Sequence, residues 1–439
     1  MARAPEGTGD RTYLCIDLKS FYASVEAADR GLDPFTTNLV VADPERSANT
    51  ICLAITPALK AAGVRNRCRL RDIPAGIEYI TAVPRMRRYM EVSGEILQCY
   101  LRFVSAEDMH VYSIDECFID ATPYLRLYRA DAKTFARRLM RAALEQTGVT
   151  ATAGIGPNMF LCKVALDICA KHAPDGIGIL DEDSFKREIW FHRPITDVWG
   201  IGAGTARRLA RHGVVDLAGV AAMNPKVLRR EFGKRAEVLI DHAWGLEACT
   251  IVQARTYKPH GHSITNGQVL MRDYTFEEAE VLIREMTLAS ALELAEKGLA
   301  ASCIGLSAGY AGDGARRQPS SAVLAGLGAT AAGGSRKLAR PTASPSTLTE
   351  AMLTLWRQTV DSGRNIRRIQ LTFAELVDAA SVQPSLFDAP EDHQKEKAMT
   401  QAMVAVRARF GANAALMGTS LRQEANARSR NQQIGGHRA

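Results

Sequence analysis

Apolar and polar positions along this chain fall into short blocks with two different spacings. Residues 12–16 form an apolar run that ends on Asp17, and residues 20–28 follow with helical spacing. Residues 111–120, VYSIDECFID, alternate in two short runs joined at Asp115-Glu116, so both acids are expected at the turn of a hairpin. Another strand is predicted over 150–155, after which Gly156-Pro157-Asn158 opens a helix over 159–171. Helical spacing also covers 86–103 and 131–146. Strands interleaved with helices predict an α/β domain whose sheet carries acids at its edge.

From residue 175 the texture changes to short helices punctuated by glycine: the string VWGIGAGTARRLARHG, then 214–223, 225–232 and 235–244. This predicts a small helical domain, followed by a polar tether over about 247–262. A strand over 264–271 comes next, and Thr275 with Glu278 forms a capping box for a helix that reaches Gly298. Residues 301–310 alternate, 313–334 are low-complexity and are expected as a flexible loop, and 335–342 give a further strand. Thr347 and Glu350 cap another helix. The closing strand, 366–373, turns Ile369, Leu371 and Phe373 inward and Arg368, Gln370 and Thr372 outward. The order β-α-β-β-α-β predicts a ferredoxin-like split arrangement with helices on one sheet face and a polar face opposite. A helical run over about 395–410 and a basic tail without an assigned role follow.

Length and charge narrow the function classes only a little. The 439 residues suit two to four domains, and 46% hydrophobic with 23% charged residues excludes a disordered or collagen-like chain. Lys+Arg 55 against Asp+Glu 48 gives +7, which permits a polyanionic partner without requiring one. The nine cysteines include no CxxC pair and lie mostly among apolar residues, the pattern of reduced, buried thiols in a cytosolic protein. No signal-peptide core or membrane span is expected, and the expected location is the cytoplasm.

Candidate chemistry concentrates at the strand ends. A lone acid there is usually a turn residue or a cap. Asp17 with the adjacent pair Asp115-Glu116 is different, because desolvating like charges is costly without a cation between them, and three carboxylates at one point suit a pair of Mg²⁺ ions. Lys163 lies one turn into the helix after GIGPN, where its ammonium and the free amides of the helix start both suit a triphosphate; a solvated helix face with Asp167 and Lys171 is the alternative. Gly200-Ile201-Gly202 is a poor dinucleotide fingerprint, since Thr205 replaces the third glycine and no βαβ unit surrounds it. It makes more sense as a helix-hairpin-helix turn binding a DNA phosphate, helped by Arg207, Arg208 or Arg211, with a plain connector as the alternative.

Taken in order, IDLKSFYASVE, VYSIDECFID, TAGIGPNMFLCKVALDICAK and WGIGAGTARRL closely resemble the signatures of Y-family translesion DNA polymerases, most of all the bacterial UmuC/ImpB/MucB/SamB-type ultraviolet-damage repair branch. The likeness is strong over about residues 11–250 and weaker beyond. It implies a right-handed polymerase of mixed α/β and α+β domains: palm at 11–20 and 85–174, fingers at 21–84, a helix-hairpin-helix thumb at 175–248, a linker at 249–262, a little finger at 263–378 and a C-terminal region at 379–439. It implies that Asp17, Asp115 and Glu116, with the backbone carbonyl of Leu18, ligate two Mg²⁺. Tyr22 falls at the position of the steric gate against a ribose 2′-OH, and Phe21 beside it lines the nucleotide pocket or simply packs in the core. Lys163 holds the triphosphate.

Two departures stand out. The string ITPALKAAGV puts Pro57 and Lys60 where many relatives carry a Tyr and an Arg, and Lys60 contacts phosphate without the bidentate fork of arginine. Gln383-Pro384-Ser385-Leu386-Phe387 resembles the peptide that docks bacterial polymerases on the sliding clamp, the β subunit of the replicative polymerase, with Gln383 at a pocket rim and Leu386 and Phe387 filling an apolar cleft; Pro384 replaces the usual aliphatic residue. Arg364, Arg367 and Arg368 border or occupy the outward face of the closing strand, where a duplex backbone would run. The resemblance implies low-fidelity synthesis on primer-template DNA from dNTPs, with room for accessory mutagenesis proteins and none for a membrane. The rivals are a catalytically silent polymerase-like scaffold, a palm-fold nucleotidyl cyclase and a DNA-binding repair adaptor.

Overall fold

The computed structural model describes residues 11–45, 49–257, 263–312, 331–383 and 390–439. The chain divides into two compact units, Met1–Tyr257 and Lys258–Ala439.

The first unit is built on strand β1 (Tyr13–Leu18). Helix α1 (Phe21–Ala28) follows directly, α2 spans Met86–Tyr100, and β2 (Met109–Val111) with β3 (Glu116–Asp120) forms the expected hairpin. Helix α3 (Ala132–Thr147), β4 (Ala151–Gly156), α4 (Met159–Val164) and β5 (Ile177–Ile179) complete the frame. The sheet runs β2-β3-β1-β4-β5, with β1 antiparallel to both neighbours and β4 parallel to β5. β1 is buried on both faces, which is why YLCIDL reads as one apolar run instead of an alternation. Leu14, Ile16 and Leu18 join Ile96, Phe135 and Leu139 in one core, whereas Tyr13 and Cys15 face Phe118, Met159, Cys162 and Leu166.

Glycine lets a helix come unusually close to that sheet. A Cβ on Gly154 would stand 1.9 Å from the carbonyl oxygen of Cys162, and one on Gly178 would stand 2.3 Å from that of Ala165. The helix predicted over 159–171 is α-helical only to Val164 and continues as a π-helical turn over Ala165–Ala170. Asn158 caps its start, accepting from the Leu161 amide at 2.8 Å, and donates to the Gly245 carbonyl at 2.9 Å.

Residues Leu39–Val41, Ala54–Ile55 and Ile80–Ala82 make a separate three-stranded sheet with its own small core. The helical texture expected from residue 175 begins only after β5, a strand of three residues, too short to show a period. The helices Glu182–Glu188, Ala203–Ala210, Leu217–Ala222, Pro225–Phe232 and Arg235–Ala243 then pack around Phe185, Leu209, Leu228 and Leu239. Part of the expected tether is also helical: Ile251–Thr256 forms a turn and a half, and Ile251 packs in the core with Tyr13 and Phe118.

The second unit has the expected order. It comprises β6 (Ile264–Tyr274), α5 (Phe276–Glu296), β7 (Leu299–Tyr310), β8 (Ala331–Thr342), α6 (Pro345–Thr359) and β9 (Ile366–Asp378). All neighbours in the sheet β8-β7-β9-β6 are antiparallel, so each β-α-β unit is split by a strand of the other. The Thr275 capping box is present. Strand β8 starts four residues earlier than expected, and 313–330, the rest of the expected loop, lie outside the described residues. Helix α7 spans Pro390–Phe410. The tail beyond it folds back: Glu285 of α5 accepts from the Asn426 and Ala427 amides at 2.9 and 3.2 Å, and Arg430 donates to Asn266 of the edge strand β6 at 2.6 Å. Among the described residues no helix is long and apolar enough to cross a membrane, and all nine cysteines are free thiols, six of them buried.

Candidate active site

Strand register brings the acids together. Asp17 of β1 pairs directly with Glu116 of β3, and the Leu18 amide donates to the Asp115 carbonyl at 2.8 Å. Side chains alternate along a strand, so Tyr13, Cys15 and Asp17 share the face that carries Glu116 and Phe118, the face covered by α4. Charged groups are thus placed on the helix-covered side of a sheet.

Each acid meets a different environment. Glu116 accepts from the Lys163 ammonium at 3.0 Å and from the Cys15 thiol at 3.1 Å. Asp115 accepts from the Ser113 hydroxyl at 2.5 Å. No hydrogen bond or ion pair among the described residues reaches the partly buried carboxylate of Asp17. Burial first, then the charges of Asp115 and Glu116, push Asp17 up to about 7. Among the described residues no three metal-binding side chains converge into a ready-made cluster, because Glu116 is turned to Lys163 and Asp115 to Ser113. The donor chemistry nonetheless suits a divalent cation: hard carboxylate oxygens, crowded by like charge, one of them without a partner.

Lys163 is 7% exposed and donates to Asp167 at 2.9 Å as well as to Glu116. Burial pulls its ammonium down, but Glu116 and Asp167 outweigh that and hold it above the usual lysine range. In this structure its ammonium is thus ion-paired with Glu116 and Asp167, on a helix that the glycines of β4 let come close to the sheet. Lys60 is exposed and donates to the hydroxyl of Ser20, which precedes α1 in the left-handed region at φ 52°. Phe21 is buried in the main core. Tyr22 is half-buried and stacks on Tyr89 of α2, ring centroids 4.5 Å apart.

The expected DNA contacts differ in availability. Gly200 and Gly202 lie in an exposed turn, with Gly200 at φ 87°, and no side chain caps the helix that begins after Gly202. Arg207 is exposed, whereas Arg208 lies over the Phe232 ring and donates to the Glu231 carbonyl at 2.9 Å. In the second unit Arg364 lies over the Tyr310 ring, Arg367 pairs with Asp273 at 3.0 Å, and Arg368 points out from the open sheet face. Gln383 is exposed; Leu386 and Phe387 lie outside the described residues.

Sequence reasoning missed several neighbours of the site. The Cys15 thiol on Glu116 and the stacking of Tyr89 on Tyr22 have no local signature, since each joins elements far apart in the chain. Trp199 donates to the Tyr112 hydroxyl at 3.2 Å, tying the hairpin of the acids to the helical part of the same unit. Glu26 did leave a signal: an acid inside the apolar run ASVEAA, fully buried in the structure.

The model of the impB/mucB/samB family matches residues 16–167, and that of the impB/mucB/samB family C-terminal domain matches 261–386. Among curated proteins, the putative UV-damage repair protein UvrX of Bacillus subtilis (strain 168) is 30% identical over 434 residues, covering 98% of both chains. DNA polymerase IV 2 of the same organism is 30% identical over 441 residues, covering 98% of this chain and 99% of that protein. Among solved structures, a chimera of the Y-family DNA polymerases Dbh and Dpo4 superposes with a TM-score of 0.59 at 19% identity, over 83% of this chain and 99% of the chimera.

Proposed function

Since the chain belongs to the impB/mucB/samB family and is a DNA-directed DNA polymerase of the Y family, we propose that it performs low-fidelity translesion synthesis by two-metal nucleotidyl transfer. The observation that carries this reading is the registered pair Asp17 and Glu116, with Asp115 adjoining and the Asp17 carboxylate lacking a partner among the described residues. Asp17, Asp115, Glu116 and the Leu18 carbonyl would hold the ions. Two bound Mg²⁺ would supply charge stabilisation at the attacking primer 3′ oxygen and the leaving pyrophosphate.

The chain's own groups divide the remaining work. Lys163 balances Glu116 from behind and keeps it oriented. Tyr22 places its ring under the incoming sugar, where a 2′-hydroxyl would fall, and Lys60, released from Ser20, reaches the triphosphate as a point charge. The exposed turn at Gly200 and Gly202, with Arg207, takes a phosphate of the primer-template duplex, and Arg368 takes another on the second unit's open sheet face. The palm, fingers, thumb and little-finger boundaries given above belong to this proposal. So do docking on the β sliding clamp through residues 383–387 and a cytoplasmic, nucleoid-associated site of action.

Primer extension with Mg²⁺ on undamaged and abasic templates tests the reading. Wild type is expected to extend both, and Asp115→Ala with Glu116→Ala to lower the rate by about 10³-fold or more. An inert wild type, as expected of a scaffold, or an equally active double mutant rejects the catalytic assignment. In the same assay, deletion of residues 383–387 is expected to abolish stimulation by added clamp; undiminished stimulation rejects the docking role.

A further inference from the structure

Glu26 is a fully buried carboxylate that the reaction does not use. It lies one turn after Tyr22 on α1, so both side chains occupy one stripe of the helix. Tyr89 of α2, itself 0% exposed, meets both. Its ring stacks on the Tyr22 ring at 17° between planes, and its hydroxyl donates to Glu26 Oε1 at 2.8 Å. Glu26 is held in turn by Arg85 at 2.9 Å and by Arg30, and Arg85 and Arg88 grip Asp29 at 2.7 and 3.0 Å. Burial alone would raise the Glu26 pKa; the hydrogen bonds from Arg85, Arg30 and Tyr89 overcome it and keep the carboxylate ionised below its usual range.

We propose that Tyr89, anchored through Glu26 and Arg85, is a positioning residue for sugar selection: it is the rigid back wall that stops the Tyr22 ring from yielding to a ribose 2′-hydroxyl. This rests on the reading of Tyr22 as the gate. A ring excludes one extra oxygen only if it cannot move by a fraction of an ångström, so its discrimination depends on what lies behind it. Ion pairs that only joined α1 to α2 would not need an aromatic face on Tyr22. The grip at both ends, ring on ring and hydroxyl on carboxylate one turn away, fixes Tyr89 in depth and in rotation.

The test is the ratio of kcat/KM for a dNTP to that for the matching rNTP, in wild type, Tyr22→Ala, Tyr89→Leu and Tyr89→Phe. Tyr89→Leu removes the wall and is expected to lower the ratio about tenfold, chiefly by raising rNTP use. Tyr89→Phe keeps the ring but loses the tether to Glu26, and a drop of about two- to threefold is expected. A merely structural role slows both substrates in parallel; an unchanged ratio in both Tyr89 variants, or in Tyr89→Phe if Tyr89→Leu does not fold, overturns the proposal. Unchanged selectivity in Tyr22→Ala overturns the gate reading itself, and the proposal with it. Lost selectivity in Tyr22→Ala with no change in the Tyr89 variants overturns the proposal alone.

Discussion

In the first unit, Asp17, Glu116 and Lys163 lie on the helix-covered face of a sheet, withdrawn from bulk water; in the second, Arg368 is exposed on the sheet face turned away from the core under α5 and α6. The contrast separates two uses of charge. A carboxylate that burial drives toward neutrality, as at Asp17, is costly to keep unless a cation visits it, so its presence points to chemistry. An exposed arginine costs little and says only that an anion is welcome. Glu285 shows the difference inside the second unit: it too is buried, but one oxygen caps the two tail amides, and the result is structure.

The close approach of α4 to its sheet is the easiest part of this contrast to break. Gly154→Val would drive a side chain into the Cys162 backbone and is expected to destabilise the first unit by about 3 kcal/mol or more. Gly267→Val on β6, where a Cβ would meet nothing nearer than 3.6 Å, is expected to change the second unit by less than about 1 kcal/mol. Urea unfolding followed by near-ultraviolet circular dichroism measures both, and equal effects would deny the difference in packing. On the open face, Arg368→Ala is expected to weaken primer-template binding about threefold and reduce the salt slope by about one. Fluorescence anisotropy across a salt series checks it, and an unchanged slope removes that face from the DNA path.

Long periodic segments were legible in the sequence. The second unit's six elements appear in the predicted order because β6 alternates between half-buried and exposed positions, Thr275 with Glu278 marks a helix start, and Ile369, Leu371 and Phe373 of β9 all turn to the core. β1 and the acid hairpin were legible for a different reason: acids interrupting apolar runs are conspicuous. Placement of Lys163 was not, since its partner Glu116 lies 47 residues away and the π-helical turn beyond it has no sequence period of its own. The helix Ile251–Thr256 was hidden in a polar stretch because only Ile251 is buried. The tail's return onto Glu285 rests on backbone amides, which no residue pattern encodes.

If Asp17, Asp115 and Glu116 hold cations as proposed, a proton must leave Asp17 for metal to bind. Asp17 is raised to about 7, so in the metal-free fold it is protonated below that pH and charged above it. The fold accordingly loses stability as pH rises from the ordinary aspartate range through 7, and a bound cation restores it there. Titration of Mn²⁺ followed by electron paramagnetic resonance, with wild type and Asp17→Asn between pH 6 and 8, tests this directly. Wild type is expected to bind about fivefold more weakly at pH 6 than at pH 7, and Asp17→Asn to bind weakly with little pH dependence. Tight Mn²⁺ binding that ignores both pH and the Asp17 substitution would rule out Asp17 as a ligand of the cation site.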